Sequence, residues 1–203
     1  DGRYVAVTSD GSSLTMYSED AENWTAVFGT DTGWTGIAYG AGKFVAVGSP
    51  GNSGAMYSTD GSNWQSSSTG VVYLEDIIWG NNEFVAISNS ALSGSNMAIC
   101  HSDNGESWYQ KSSLQEQWWK SIAYGNGTYV AVNTSGVNRA AYSTDGMNTW
   151  TYVSMPGNGS WQKVRYGNGK FVAVAKNSPR IAWSEDGATW TQVSLDGQLQ
   201  NDY

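Results

Sequence analysis

One pattern returns five times along the chain: an aromatic residue leading into Val-Ala-Val or a close variant, a variable stretch, a Ser-(Thr/Glu)-Asp-Gly turn or a looser form of it, and a Trp. The aromatic anchor stands at Tyr4, Phe44, Phe84, Tyr129 and Phe171, at spacings of 40, 40, 45 and 42 residues. The Trp follows as Trp24, Trp64, Trp108, Trp150 and Trp190, at spacings of 40, 44, 42 and 40. A period of about 40 to 50 residues lets each repeat lay down one four-stranded propeller blade, and a 20-residue solenoid period is absent. The expected fold is therefore all-β, a single five-bladed β-propeller of four-stranded antiparallel blades whose ring is closed by the two termini. Residues 1–203 form one domain on this reading, with blades at approximately 1–28 plus 197–203, 34–68, 74–112, 119–154 and 161–194.

Each repeat divides into four short runs of strand character, separated by Gly, Asn, Asp and Ser, the residues that populate tight turns. In the second copy the runs are WTGIAYG (Trp34 to Gly40), KFVAVG (Lys43 to Gly48), AMYS (Ala55 to Ser58) and a strand opening at Trp64. The turn between the first two runs reads YGAGK, WGNNE, YGNGT and YGNGK, beginning at Tyr39, Trp79, Tyr124 and Tyr166. Asn-Gly and Gly-rich pairs supply the positive φ that a two-residue hairpin demands.

The turn between the third and fourth runs is STDGSNW (Ser58 to Trp64), STDGMNTW (Ser143 to Trp150) and SEDGATW (Ser184 to Trp190), with looser versions SEDAENW from Ser18 and SDNGESW from Ser102. These residues resemble the Asp-box, or bacterial neuraminidase repeat, a β-hairpin signature of the form SxDxGxTW, once per blade over essentially the whole chain. Most copies are one residue shorter than that form, and the first carries Ala21 in place of Gly. The role of the turn is structural. The carboxylates of Asp20, Asp60, Asp145 and Asp186 accept turn N–H groups, Gly takes the left-handed position, and Trp24, Trp64, Trp108, Trp150 and Trp190 pack into the apolar layer of the blade. The wider pattern WxxIAYGNGxFVAVG…YSTDGxxW is similar to repeat segments of bacteriophage tail-fibre and other virion proteins, and of secreted bacterial surface proteins. That resemblance implies an extracellular or virion setting and host attachment.

The first copy starts at its second strand, so one innermost strand is missing from the start. The tail from Leu199 to Tyr203 is expected to supply it and to leave few free sheet edges, although it has Asn201 or Asp202 where Ile stands in the other copies. The chain opens at Asp1 without an initiator Met or a signal-like segment and reads as a processed chain or a fragment.

Because strands alternate in direction, the first-to-second and third-to-fourth turns share one end of every blade. The second-to-third loops and the interblade loops share the other. The first end is stereotyped. The second collects SPGNSG, NSALSGSN, TSGVNR and KNSPR, with GTDTG, SSLQEQW and MPGNGS between blades. Diversified loops on a rigid scaffold are where binding resides, so the contact surface is expected there. Trp34, Trp119 and Trp161 open the innermost strands at that end and suit stacking on sugars; the alternative is that they cap the core between blades. Trp118 points to the opposite face of its strand from Trp119. Arg139 and Arg180 lie in loops of the same end and complete the candidate binding set.

The Asp-box resemblance also brings sialidases and other glycosidases into view, and the residues argue against them. Family sialidases hold the substrate carboxylate with three arginines on a six-bladed ring. Here Arg3, Arg139, Arg165 and Arg180 are the only arginines, and no three are expected at one channel mouth. Glycosidases need two carboxylates across the scissile bond. The innermost strands offer Glu75, Asp76 and Asp202, of which Glu75 and Asp76 are adjacent and expected on opposite faces. Lys120 and Lys163 on the same class of strand are expected to pair with Glu75 or Asp202 in the channel. His101 stands alone without a nucleophile or a carboxylate constellation and reads as structural. No catalytic residue, no cofactor and no metal is assigned, since one Asp per turn falls short of the six to eight oxygens that calcium wants.

Composition narrows the partners. A net charge of −8 with ten scattered Lys and Arg residues speaks against nucleic acid or an anionic membrane, which demand clustered cations. Cys100 is the only cysteine, which rules out an intrachain disulfide and a Cys-based zinc site and leaves a small buried hydrophobe. No run reaches the length of a membrane span. Only 14% of residues are charged, against about 25% in ordinary domains, while there are 11 Trp and 12 Tyr, so the surface is polar, aromatic and sparsely charged. The expected function is a noncatalytic recognition module that binds a host-surface receptor or glycan. The alternative is a propeller docked to other virion subunits as a structural or decoration module, with a glycosidase as the third reading.

Overall fold

In the computed structural model the described residues are 2–9, 14–28, 33–48, 54–89, 98–111, 114–115, 117–135, 139–176 and 180–193, with Leu14 and Phe28 described by their backbone alone. Every regular element among them is a β-strand, and the strands form five antiparallel sheets, the blades of a five-bladed propeller. The chain divides into two compact units, Asp1–Glu116 with three sheets and Gln117–Tyr203 with two.

In the first unit, sheet one holds β1 (Tyr4–Val7), β2 (Leu14–Ser18) and β3 (Thr25–Phe28). Sheet two holds β4 (Trp34–Gly40), β5 (Lys43–Gly48), β6 (Gly54–Ser58) and β7 (Gln65–Ser68), and sheet three β8 (Leu74–Gly80), β9 (Glu83–Ser88), β10 (Ile99–Ser102) and β11 (Tyr109–Lys111). In the second unit, sheet four holds β12 (Trp119–Gly125), β13 (Thr128–Asn133), β14 (Ala140–Ser143) and β15 (Thr151–Val153). Sheet five holds β16 (Ser160–Gly167), β17 (Lys170–Lys176), β18 (Ile181–Ser184) and β19 (Thr191–Gln192). Strands pair in chain order within each sheet. Sheet one has three described strands, and the tail expected to complete it lies outside the described residues.

The hairpins from first to second strand follow from their turn residues. Pairing of Gly40 with Lys43, and of Gly125 with Thr128, leaves a two-residue loop. Ala41 and Gly42 have φ of 46° and 73°, and Asn126 and Gly127 have 49° and 76°, the doubly positive pattern of a type I′ turn. Asn81–Asn82 and Asn168–Gly169 repeat it. Such a turn matches the twist of the strands and fixes their register.

The innermost strands carry a device that strict alternation does not foresee. In each complete sheet the register slips by one near the start of the first strand, between Trp34 and Gly36, Leu74 and Asp76, Trp119 and Ser121, and Trp161 and Lys163. A β-bulge of this kind shifts side-chain parity. Trp34 pairs with Gly48 and Ile37 with Ala46, so residues three apart share one face. The spacing W-x-x-I, L-x-x-I and W-x-x-V is the sequence mark of that bulge, and both apolar residues enter the core.

The core lies between neighbouring sheets. Val45, Val47 and Ala55 of sheet two meet Leu74, Ile77, Phe84, Ala86 and Cys100 of sheet three. Trp34, Ala46 and Met56 pack with Val7, Ile37 and Trp64. In the second unit Val130, Val132 and Ala140 meet Trp161, Val164, Phe171, Ala173 and Ala182. First strands of adjacent sheets pack side by side, β4 on β8 and β12 on β16. The Thr35 hydroxyl donates to the Leu74 carbonyl at 2.7 Å, and the Val164 N–H donates to the Ser121 hydroxyl at 3.1 Å.

Candidate functional site

Each sheet has a hairpin end and a loop end, as antiparallel pairing in chain order requires. At the hairpin end the Ser side chain and the Asp or Asn two residues after it in each third-to-fourth turn are spent on the turn itself. The Ser58 hydroxyl donates to the Asp60 carboxylate at 2.9 Å and accepts the N–H of Gly61 at 2.8 Å. Asp60 in turn accepts the N–H groups of Ser62 and Asn63 at 2.9 and 2.8 Å and the Asn63 amide at 2.7 Å, and the Trp64 indole donates to the Gly61 carbonyl at 3.1 Å. The turn around Asp20 repeats this set, although Trp24 is 42% exposed and not packed into the apolar layer as expected, and the turn around Asp186 with Trp190 repeats it with Thr189 where Asn63 stands.

The hydrogen bonds from the amides of Asn23, Asn63, Thr149 and Thr189 are the main cause that holds the carboxyls of Asp20, Asp60, Asp145 and Asp186, respectively, below the usual carboxylate range.

Two copies depart from the rule. In the third, Asn104 does the work of the Asp: its side-chain oxygen accepts the N–H groups of Glu106 and Ser107 at 2.8 and 2.9 Å. There the Trp108 indole reaches across to the Ser67 hydroxyl of sheet two at 3.2 Å. In the fourth, one residue longer, Met147 takes the left-handed position at φ 66° and is fully buried. The Thr149 N–H and hydroxyl close that turn on Asp145, while the buried Trp150 Nε1 makes no hydrogen bond to a described residue.

The loop end is best seen in the second unit. Arg139, ahead of β14, donates from Nη1 to the Gly159 carbonyl at 2.7 Å and to the Thr134 carbonyl at 3.2 Å. Arg180, ahead of β18, lies on the same segment from another side, so close that a methyl group on Gly157 would collide with its guanidinium. The two candidate arginines thus meet on Gly157–Gly159. Trp118 stands beside them through the Thr134 N–H, which donates to the Trp118 carbonyl at 3.2 Å, and its side chain is 44% exposed.

The three other candidate tryptophans are placed differently from the expectation. Trp34, Trp119 and Trp161 are 2%, 0% and 0% exposed. The bulge turns each indole onto the core face of its strand, so they cap the apolar layer and offer no stacking face to a ligand. The Trp161 Nε1 is buried without a hydrogen bond to a described residue.

Glu75 is the bulged residue of β8, which interrupts the alternation behind the expectation that it and Asp76 face opposite ways. What separates them is burial, since Asp76 is 2% exposed and Glu75 only half-buried. Asp202 lies outside the described residues. Arg165 donates to the Ser121 hydroxyl at 3.0 Å and the Val164 carbonyl at 2.8 Å, a strand-to-strand brace within the second unit. Among the described residues no three His, Cys, Asp or Glu side chains converge as a metal site, and no helix is long and apolar enough to cross a membrane.

Among the described residues of the first unit, two clefts open at the hairpin end. One of about 420 Å³ is lined by Arg3, Glu19, Tyr39, Phe44 and Asp60. In it Arg3 bonds the Glu19 carboxylate at 2.9 Å and the Asp60 carbonyl. The other, about 310 Å³, is lined by Asn81, Asn82, Glu83, His101, Asp103 and Tyr109. His101 Nδ1 lies 2.8 Å from the Glu83 carboxylate. That partner was missed by treating His101 as isolated, although Glu83 occupies a position that holds Arg3, Lys43 and Lys170 in other copies. Most of the diversified loops, residues 29–32, 49–53, 90–97, 136–138 and 177–179, lie outside the described residues.

No protein-family model matches the sequence, and no related curated protein is found. Solved structures do match. Virginiamycin B lyase from Staphylococcus aureus superposes with a TM-score of 0.74 at 14% identity, over 95% of this chain and 69% of that one. YCF48 bound to D1 peptide gives 0.59 at 14% identity, over 94% and 70%. A chain of the nidogen/laminin complex gives 0.65 at 11% identity, over 88% and 73%. The chain has the β-propeller fold. At these identities the likeness carries the propeller architecture alone.

Proposed function

We propose that this propeller is a noncatalytic recognition module, displayed on a virion or outside the cell, which binds a host-surface receptor, a glycan in the first instance, through its loop end. The observation that carries this reading is the placement of Trp118, Arg139 and Arg180. Trp118, whose side chain is exposed, and two arginines that share the segment Gly157–Gly159 stand on neighbouring segments at the end of the second unit where the loops differ from copy to copy, while the Ser and Asp side chains of the hairpin turns are spent internally. An indole face stacks on sugar rings and guanidinium forks donate to hydroxyls and carboxylates. The similarity of the turns to the Asp-box and of the repeat to tail-fibre segments agrees with that setting. A glycan array read with the wild type, Trp118→Ala and Arg180→Ala tests it. Binding weakened at least tenfold by either change supports the reading, and no binding to any surface polysaccharide, or binding indifferent to both, contradicts it.

One observation favours a second reading, a structural module docked to neighbouring subunits. Val172 and Val174, on one face of β17, are each 41% exposed, whereas the equivalent Val45 and Val47, Val85 and Ile87, and Val130 and Val132 are buried. Native mass spectrometry of the wild type and Val172→Lys would show an assembly that the substitution dissolves. Glycosidase activity is the least supported reading, and turnover of chromogenic sialosides or arabinosides that disappears in Glu75→Gln would establish it.

A further inference from the structure

The chain carries 18 Asp and Glu residues against 10 Lys and Arg, and three of its hairpin-end cations are each matched with a carboxylate. Arg3 bonds Glu19 at 2.9 Å, Lys43 bonds Glu106 at 2.5 Å and Lys170 bonds Glu185 at 2.5 Å. The loops of the second unit reverse that balance. Residues 134–139, 154–160 and 176–180 read TSGVNR, SMPGNGS and KNSPR, which hold Arg139, Lys176 and Arg180 and not one Asp or Glu. An anion that comes up to these loops meets cations without a carboxylate among them, in a chain whose net charge is −8.

Arg180 is set apart from the other three arginines by its N–H groups. Arg3 donates to Glu19 and to the Asp60 carbonyl, Arg165 to the Ser121 hydroxyl and the Val164 carbonyl, and Arg139 to the carbonyls of Thr134 and Gly159. Among the described residues none accepts a hydrogen bond from the Arg180 side chain or pairs with its charge, although the residue is half-buried. Packing holds it in place. The guanidinium lies so close to Gly157 that only a glycine admits it there, and Arg180 Cδ lies 3.4 Å from where a Cβ on Gly159 would stand. A guanidinium presents five N–H donors in one plane, and leaving them unmatched in a half-buried position is unfavourable. An oxyanion removes that cost by accepting two of them in parallel. Arg139, fixed through Nη1 on its two carbonyls, brings a second cation to the same glycine segment, and the Thr134 N–H ties the exposed Trp118 to it.

We infer that the loop end of the second unit holds the acidic group of an acidic polysaccharide, a uronate carboxylate or a sulfate ester. Arg180 is the direct donor, Arg139 adds charge beside it, and Gly157 leaves room for the guanidinium. The inference names the class of glycan and rests on the recognition reading proposed above. Lys176 supplies an internal control. The Ala175 N–H donates to the Arg180 carbonyl, so Lys176, the next residue, faces the other side of the sheet from Arg180. Its removal takes away an equal charge and leaves the site intact.

The test is an NMR titration of the isotope-labelled 203-residue chain with tetragalacturonate, its methyl ester, dextran sulfate and dextran, read at the Nε–Hε signals of the four arginines. The ester and dextran offer the same rings without the charge. Saturable shifts are expected at Arg180 and Arg139 with an acidic probe, with affinity about tenfold or more above that of its neutral counterpart, and none at Arg3 or Arg165. A response to tetragalacturonate identifies a uronate site, and a response to dextran sulfate alone a sulfate site. Arg180→Gln is expected to weaken binding about tenfold or more, and Arg180→Lys to restore part of it, because the charge returns without the fork. Lys176→Gln is expected to leave binding within about twofold, as a screened charge outside the site does. Melting temperatures show that the three variants are folded. Neutral probes that bind as tightly as acidic ones, or acidic binding that Arg180→Gln and Lys176→Gln weaken equally, would overturn the inference and leave the recognition reading standing. Failure of both acidic probes overturns the inference alone where the glycan array still shows a ligand, and the recognition reading with it where the array is blank.

Discussion

Gly105, in the third-to-fourth turn of sheet three, stands so close to Val45 of sheet two that a methyl group added to it would lie 2.5 Å from the Val45 Cγ2. Gly61 stands in the same relation to Val5 at 2.7 Å, and Gly187 to Val130 at 2.5 Å. The stereotyped turn of each of these sheets is thus seated on the second strand of the sheet before it. Its sameness from copy to copy follows from that contact. Arg3 and Lys43 reinforce it by donating to the carbonyls of Asp60 and Asn104, the equivalent residues of the following turns.

Gly105→Ala is therefore expected to cost on the order of 3 kcal/mol, combining the left-handed backbone at φ 75° with overpacking against Val45. Gly146, at φ 71°, has nothing within 4 Å of the added methyl group, and Gly146→Ala is expected to cost only about 1 kcal/mol. Urea unfolding of the two variants reads the difference. Equal losses would show that backbone strain alone, not seating on the neighbouring sheet, selects glycine.

Adjacent tryptophans give a second contrast. Trp119 is fully buried with its ring 6.4 Å from that of Tyr152, so Trp119→Ala is expected to destabilise by about 3 to 5 kcal/mol. Trp118→Ala removes an exposed ring and is expected to stay within about 0.5 kcal/mol. Thermal unfolding of both variants checks the orientation that the bulge imposes.

The turn carboxylates predict the response to acid. Asp20, Asp60, Asp145 and Asp186 titrate lower in the folded chain than in the unfolded one because turn N–H groups bond their ionised form. A depressed folded value contributes stability that is fully present above the unfolded value, about 4, and is lost as pH falls toward the folded one. The urea midpoint should be insensitive to these groups between about pH 5 and 8 and fall below about pH 4. Asp60→Asn, which copies the native Asn104, should lessen that fall. A midpoint that rises on acidification would contradict the sign.

Burial pushes the Cys100 thiol well above its ordinary value, with a hydrogen bond to Thr69 acting the other way. The thiolate is the reactive form. Cys100 should resist iodoacetamide at pH 8 in the native chain and react promptly in urea. Rapid native labelling would place it at the surface.

The repeat made the architecture legible, because a period in the forties and the Asn-Gly turns each dictate local geometry that neighbours cannot override. The contact residues were less so. Trp34, Trp119 and Trp161 open their strands at the loop end, a position compatible with a sugar-stacking rim or with a core cap, and the bulge marked by the apolar residue three positions after each decides for the core. In the looser turn SDNGESW it is Asn104, not the neighbouring Asp103, that accepts the turn N–H groups, which the spacing from Ser102 encodes but the residue type does not. The meeting of Arg139 and Arg180 on Gly157–Gly159 is a product of sheet packing, 20 and more residues apart in the chain, and no local pattern encodes it.

Hydrogen–deuterium exchange, with and without a binding surface polysaccharide from the glycan array, tests most directly the division between seated turns and a receptive loop end. Protection is expected in peptides covering Gln117 to Trp119, Thr134 to Arg139 and Pro156 to Ser160, with the turns at Ser58 to Trp64 and Ser184 to Trp190 unchanged. Protection confined to those turns would contradict the account.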